Sequence, residues 1–559
     1  MHMKEKKIQI SLDVEIPMRD GVKLHAVLYK PALNEKLPAL LLRSPYAAEF
    51  PDYSVWGPKF CESGYAVVMQ DIRGRLNSDG ECTPYIQEIN DGLDTQKWVA
   101  KQSWCNGCIG TFGISYSGFT QVLTAPLNNP NLMALVPVGN QVNNYGHLRY
   151  NGILQLENTI NWIWWGNKIT QHVPERLINW EKLYKVLPLN KALDGIADRP
   201  YYKKVIKNET YNNFWKSADL TDKYNKISVP AYFITGWYDN LVHETFKNFI
   251  GWKTKTKNKI AKEKTKLLVG PWYHYNLGKN TKFGDITFGK NSTLDIIKEH
   301  IIWFDQRLKN HNTGIDNEKP IKIFVMGLNK WRGESEWPLL RTKYTKYYLH
   351  SGGNANTRNG DGILNPYAPN IQNYDSFTYN PENPVPTLGG QSQLLRNCGP
   401  RNRYDLEMRD DILVYSTRKL KENTEITGKV EIILYASAST LDTDFTATLV
   451  DVHPDNKCIN ITEGIIRAKF RNSYSKQTLI KPNKIYKYKF PLWETSNLFK
   501  KGHKIRIEIS SSNFPRFDRN LNTGKFVFDD DEIKTSTQKI FHNKHHPSHV
   551  IFPIIPIVG

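Results

Sequence analysis

A chain of 559 residues is too long for one hydrophobic core, so two or three domains are expected. Its 40% hydrophobic content and 15 tryptophans can fill large cores, while no run of about eighteen apolar residues exists, which excludes a membrane-spanning helix. The net charge of +20 raises nucleic acid or an anionic surface as partners, but the lysines are scattered and the densest run, 253–266, lacks stacking aromatics; it reads as solvated surface, and no nucleic-acid or membrane partner is expected.

The basic N-terminal stretch runs into an amphipathic strand with no apolar h-region, so no signal peptide is read. Six cysteines are sparse for this length and form no evident disulfide framework, which suits a reducing compartment; a cytoplasmic location is expected. Residues 14–29 alternate around Asp20-Gly21, a hairpin signal. Strand–helix alternation follows: strands at 39–43 and 65–71, a helical stretch at 93–101, a strand at 109–114, a helix at 119–125 that Pro126 stops, and a strand at 133–138. This pattern predicts a mostly parallel sheet covered by helices on both faces. Cys105-Asn-Gly-Cys108 has zinc or redox spacing, but no second Cys/His pair accompanies it, and it reads as a turn entering the 109–114 strand.

From 142 to 224 helical periodicity and dense Trp and Tyr replace the strands, predicting an inserted helical cap. Strands at 229–235 and 267–269 and an amphipathic helix at 294–309 resume the α/β pattern. After Gly314, short alternating runs at 321–326, 345–349, 412–415, 430–436, 445–452 and 505–510 lie between turn clusters, predicting an all-β sandwich or jelly roll. His542, His545, His546 and His549 cluster near the end, but Pro547 forbids a helix there, and a hairpin loop is expected rather than a metal site. The apolar tail 550–559, broken by Pro553 and Pro556, reads as an edge strand or surface-packed segment.

The stretch 109–118 climbs to a lone serine, Ser115, flanked by small residues, as when a strand ends in a sharp turn that lifts a hydroxyl out of a sheet. Acyl transfer then needs a base, an orienting carboxylate and donors for the oxyanion, in the chain order Ser, Asp or Glu, His. Asp239 follows the 229–235 strand, and His274 follows the 267–269 strand after a Gly-Pro turn. Either could be ordinary, the aspartate as a helix cap; order and placement together make them specific. The Tyr116 amide is one candidate oxyanion donor, and Tyr46, in Arg43-Ser-Pro-Tyr46 after the first buried strand, is the other. Ser117 stands where a strict G-x-S-x-G pattern has its second glycine.

These blocks, with Gln70-Asp-Ile-Arg-Gly-Arg75, Gly236-Trp-Tyr-Asp239 and Gly270-Pro-Trp-Tyr-His274, resemble the cocaine esterase family, which also contains α-amino-acid ester hydrolases, glutaryl-cephalosporin acylases and X-prolyl dipeptidyl peptidases. Asp442-Thr-Asp-Phe445, Leu449-Val-Asp-Val-His-Pro-Asp455 and the 510–520 block match as well, so the resemblance covers nearly the whole chain and is weakest in the cap. It implies an α/β-hydrolase fold with an inserted helical cap and a C-terminal all-β jelly-roll domain, divided as 1–141, 142–225, 226–312 and 313–559. It makes Ser115 the nucleophile, His274 the base, Asp239 its partner, and Tyr46 with the Tyr116 amide the oxyanion hole. No cofactor or metal is expected; the partner is a small-molecule ester or acyl substrate, and a homo-oligomer is an allowed assembly.

The α-amino-acid ester hydrolases are similar to one another in carrying acidic residues just after the catalytic Asp, where this chain has Asn240, Leu241 and Val242. A buried ammonium there would be unpaired, at a cost of roughly several kcal/mol. The X-prolyl peptidases are similar in core but carry an extra N-terminal domain, which is not expected here. An ester with an apolar or aromatic acyl group is therefore expected, with Trp162, Trp165 and Leu241 as pocket candidates, although clustered tryptophans more often belong to a core. Two rivals stand: an amide-cleaving acylase or X-prolyl peptidase on the same machinery, and a carbohydrate- or surface-binding protein working through its jelly roll.

Overall fold

The computed structural model describes residues 7–46, 51–165, 178–194, 200–370, 373–393 and 398–556. The chain begins β1 (Ile8–Pro17), β2 (Lys23–Pro31), β3 (Leu37–Ser44), α1 (Pro51–Glu62), β4 (Ala66–Asp71), α2 (Glu88–Ala100), β5 (Cys105–Ile114), α3 (Tyr116–Thr124) and β6 (Leu132–Val138). The cap adds α4 (Asn144–Leu148), the two-residue strands β7 (Arg149–Tyr150) and β8 (Ile153–Leu154), α5 (Leu156–Trp165), α6 (Trp180–Tyr184), α7 (Pro200–Lys207) and α8 (Asn213–Lys216). The α/β pattern resumes with β9 (Tyr232–Gly236), α9 (Val242–Lys255), α10 (Lys259–Lys264), β10 (Lys266–Gly270), the small pair β11 (Lys282–Phe283) and β12 (Ile286–Thr287), α11 (Ile296–Leu308), β13 (Ile321–Val325) and β14 (Lys330–Glu334).

Ten of these strands form one sheet in the order β1-β2-β4-β3-β5-β6-β9-β10-β13-β14. From β4 to β13 every neighbouring pair is parallel. Alternate residues of β3 show why the strand reads as a continuous apolar run: Leu40 and Leu42 join one core with Phe60, Phe112 and Phe304, and Ala39 and Leu41 join another with Phe119 and Val122. Both faces are covered, as a parallel sheet requires.

The remaining strands are β15 (Lys343–His350), β16 (Ile363–Asn365), β17 (Tyr374–Tyr379), β18 (Leu413–Ser416), β19 (Thr424–Ala438), β20 (Asp444–Val452), β21 (Cys458–Arg467), β22 (Tyr486–Phe499), β23 (Lys504–Ser510), β24 (Ser536–Phe541) and β25 (His549–Ile555). They form the all-β domain, ordered β17-β24-β19-β25-β15-β16-β18-β23-β20-β21 with β22 on β19. Among the described residues no helix is long and apolar enough to cross a membrane.

Three expectations change. The 321–326 run does not open the sandwich: β13 pairs in parallel with β10, and β14 turns back on it, so the first sheet runs on beyond residue 314. The apolar tail is not an edge: β25 lies between β15 and β19 and pairs with both. Its Pro553 lies opposite Tyr344 of β15, in the stretch where pairing to β19 lapses between Ile426 and Glu431. Cys105 to Cys108 is not a turn before the strand but the irregular start of β5, where the register with β3 shifts between Leu37 and Ala39. The histidine cluster does form a tight hairpin loop, with His542 opposed to Pro547 in an antiparallel bridge and Asn543 and His546 exchanging backbone hydrogen bonds of 3.2 Å, although β19 separates β24 from β25 in the sheet. Its His542 is buried, with Nε2 2.8 Å from Asp375 Oδ2 in a network that includes Ser351 and Tyr415.

Candidate functional site

The carboxyl ends of four adjacent strands, β5, β6, β9 and β10, supply the site. Ser115 is the single residue between β5 and α3 and holds φ 62°, ψ −119°, outside the usual range for a side chain with a Cβ. The turn closes because Gly113 admits it: a Cβ there would lie 2.5 Å from Ser117 Cβ and 2.7 Å from Leu42 Cδ1. Ser115 N–H donates to the Val138 carbonyl at the end of β6 (2.9 Å), and its own carbonyl accepts from Gly118 and Phe119. Tyr116 is the first residue of α3, so its N–H has no carbonyl one turn back within the helix.

One residue past Val138 is Gly139, on which a Cβ would lie 2.6 Å from Asp239 Oδ2 and 3.2 Å from His274 Nδ1. The β6 terminus thus touches the serine turn on one side and the Asp–His pair on the other. Asp239 is wholly buried, and its Oδ1 lies 3.0 Å from His274 Nδ1. Leu241 N–H donates to the same oxygen (2.9 Å) and Thr235 Oγ1 to Oδ2 (3.2 Å). Helix α9 is capped at Leu241, so the aspartate is not its cap. His274 is 1% exposed and lies edge-on to Tyr275.

Tyr46 stands in the loop after β3, and its hydroxyl accepts a hydrogen bond from Trp162 Nε1 of cap helix α5 (2.9 Å). That bond uses a lone pair rather than the phenolic proton, which is what an oxyanion donor needs. The Trp162 indole stacks along Tyr85 and Tyr116 at centroid distances of 5.5 and 6.1 Å. Trp164 packs against Trp180 within the cap, as a core residue would. The Trp165 side chain lies outside the described residues, and the Leu241 side chain is buried beside the aspartate it holds.

Three contributors escaped sequence reasoning. Gly139 carried no signal. Arg75, in the 70–75 block, reaches the Pro45 carbonyl through Nη2 at 3.3 Å and so braces the Tyr46 loop. Glu88 accepts from the Tyr116 hydroxyl (3.0 Å) and pairs with Arg43 (2.8 Å), anchoring the residue after the serine. Burial pushes the Glu88 carboxyl up, against the pull of Arg43.

The fold and this crevice define the class: an α/β hydrolase with a helical cap and a C-terminal all-β domain. Residues 20–276 match the X-Pro dipeptidyl-peptidase (S15) family and residues 313–551 the X-Pro dipeptidyl-peptidase C-terminal non-catalytic domain. The chain is 35% identical to the cocaine esterase of Rhodococcus sp. (strain MB1 Bresler) over 99% of its own length and all of that protein's. It therefore belongs to the S15 family, on its cocaine esterase (CocE/NonD) side, and is a serine carboxylic-ester hydrolase. Two solved structures share the fold at 22% identity and a TM-score of 0.84: an aminopeptidase from a marine sediment archaeon (Thaumarchaeota archaeon), covering 99% of this chain and 97% of that one, and an α-amino acid ester hydrolase, covering 98% and 97%.

Proposed function

We propose that the enzyme cleaves carboxylic esters with an apolar or aromatic acyl group through an acyl-enzyme on Ser115. The observation that carries this reading is the convergence of the Ser115 turn and the Asp239–His274 pair on the end of β6. Ser115 Oγ attacks the ester carbonyl while His274 Nε2 takes its proton, and Asp239 holds Nδ1–H and stabilises the imidazolium. The Tyr46 hydroxyl and the Tyr116 N–H hold the tetrahedral oxyanion. The intermediate expels the alcohol with the proton from His274; water, activated by the same base, then hydrolyses the acyl-enzyme and releases the acid.

Asn240, Leu241 and Val242, all buried, favour such acyl groups over α-amino acyl groups, because these positions offer an ammonium no carboxylate. Trp162, flat against two tyrosines, supplies an aromatic surface beside Tyr46. Turnover of short aryl esters should fall at least about 1,000-fold in Ser115→Ala, with loss of the acyl-enzyme mass shift. Wild-type-like turnover would remove Ser115 from the mechanism. Faster cleavage of matched anilides than of esters would favour the acylase or peptidase reading.

A further inference from the structure

The all-β domain holds a group of ligating side chains that the hydrolytic chemistry does not use. Asp451 lies in β20, His453 follows that strand, and His503 immediately precedes β23. The two strands are antiparallel and in register through Val452 opposite Lys504, so the next opposed positions are His453 and His503. Their rings lie 4.5 Å apart between centroids. His503 Nδ1 is 2.8 Å from Asp451 Oδ1, and His453 Nε2 is 3.6 Å from Asp451 Oδ2. One ligand atom from each residue lies within 4.8 Å of the other two.

A carboxylate satisfied by one histidine does not need a second imidazole laid against the first. Two imidazole rings facing one carboxylate are instead the donor set of a metal site. Asp455 already pairs with Lys457 (2.8 Å) and is not counted as a ligand.

We propose that Asp451, His453 and His503 bind a divalent first-row transition metal, zinc above all, and that the ion staples the β20–β23 edge. Imidazole and carboxylate suit zinc, with bonds of about 2.0–2.2 Å that set tetrahedral donors roughly 3.3 Å apart. From a spread of at most 4.8 Å, that geometry asks for a contraction of about 1.5 Å, within reach of side-chain rotation. Three protein ligands leave the fourth position to water.

The test uses the full chain, stripped with a chelator, dialysed and titrated with zinc chloride by calorimetry. Cobalt(II) serves as a visible-absorption probe of tetrahedral coordination. We expect one saturable zinc per chain, with a Kd of about 10 μM or tighter, and a thermal midpoint raised by a few degrees at about 100 μM zinc. His453→Ala keeps the Asp451–His503 hydrogen bond, and so is the variant that tests ligation rather than folding. It should weaken zinc at least tenfold, abolish the cobalt spectrum and leave ester turnover unchanged. Zinc binding of equal strength in His453→Ala would assign the metal elsewhere, with His545 and His546 the alternative donors, and overturn the proposal. So would no saturable binding up to about 100 μM.

Discussion

Ser115 sits at a backbone conformation that costs on the order of 1–3 kcal/mol for a side chain with a Cβ, and it persists because its surroundings over-determine it. The Val138 carbonyl takes its N–H, and the absence of a Gly113 side chain leaves room for the turn. Strain of this kind exposes a hydroxyl at a sheet edge while its neighbours stay packed. The Tyr46–Trp162 hydrogen bond makes a sharper claim. If Tyr46 donates to the oxyanion, Tyr46→Phe should lower kcat about 100-fold with little change in KM. Trp162→Phe keeps the aromatic surface but loses the bond, and should lower kcat roughly 5-fold. The double variant should then be no slower than Tyr46→Phe, because the two residues act as one unit. Multiplying losses would assign Trp162 to acyl binding alone. At this scale the candidates Ser115, Asp239, His274 and Tyr46 were legible because each follows an apolar strand in the right order. Gly139 and Glu88 were not, because their importance lies in what approaches them across the fold.

Among elements, legibility followed local pattern. Strands with apolar runs and helices with clean periodicity are legible in the sequence, while α1 is not. It carries Gly57 and Pro58 and is held instead by Trp56 and Phe60 in the core under β3. Pairing was less legible than existence: β13 and β25 are strands as expected, but their partners come from elsewhere in the chain. The interior place of β25 has a consequence. Ending the chain after Pro547 would remove the strand between β15 and β19 and expose both their edges. Such a variant should aggregate and lose the cooperative transition of the all-β domain, as read by size-exclusion chromatography and a thermal melt; a soluble, cooperatively melting truncation would show that β25 is dispensable. The all-β domain also bears on the hydrolase. Glu494 of β22 meets His243 of α9 at 2.9 Å, and Lys469 meets Glu209 of the cap at 2.8 Å. The helix following Asp239 and the cap are both tied to the C-terminal domain.

The whole molecule carries two buried histidines that acid should find. Burial drives both His147 and His300 down from 6.5 to about 4. His300 sits among Trp56, Phe60 and Phe304, with Nδ1 2.7 Å from the Ile296 carbonyl and Nε2 unpartnered among the described residues. Because the folded value lies below the unfolded one, stability is complete above about pH 6.5 and is lost as pH falls toward 4, where protonation of the unfolded chain wins. Each histidine should remove about 2 kcal/mol by pH 5. His300→Phe, which suits the aromatic cluster, should reduce the drop in thermal midpoint between pH 7 and pH 5 by several degrees; an unchanged drop would mean that His300 is not a source of acid sensitivity. The chain's sequence by itself determined the order of the architecture, an α/β sheet interrupted by helices and followed by strands, because hydrophobic period and turn chemistry are local. It also determined the chemistry on offer, since a nucleophile turn and two polar residues past strand ends can be read in chain order. Only the tertiary structure decided which strands pair, why Gly139 must be a glycine, how the cap reaches Tyr46, and that Asp451 and His453 meet a histidine fifty positions on. Those facts depend on residues far apart in the chain, and contact between them is set by sheet register and close packing rather than by any local pattern.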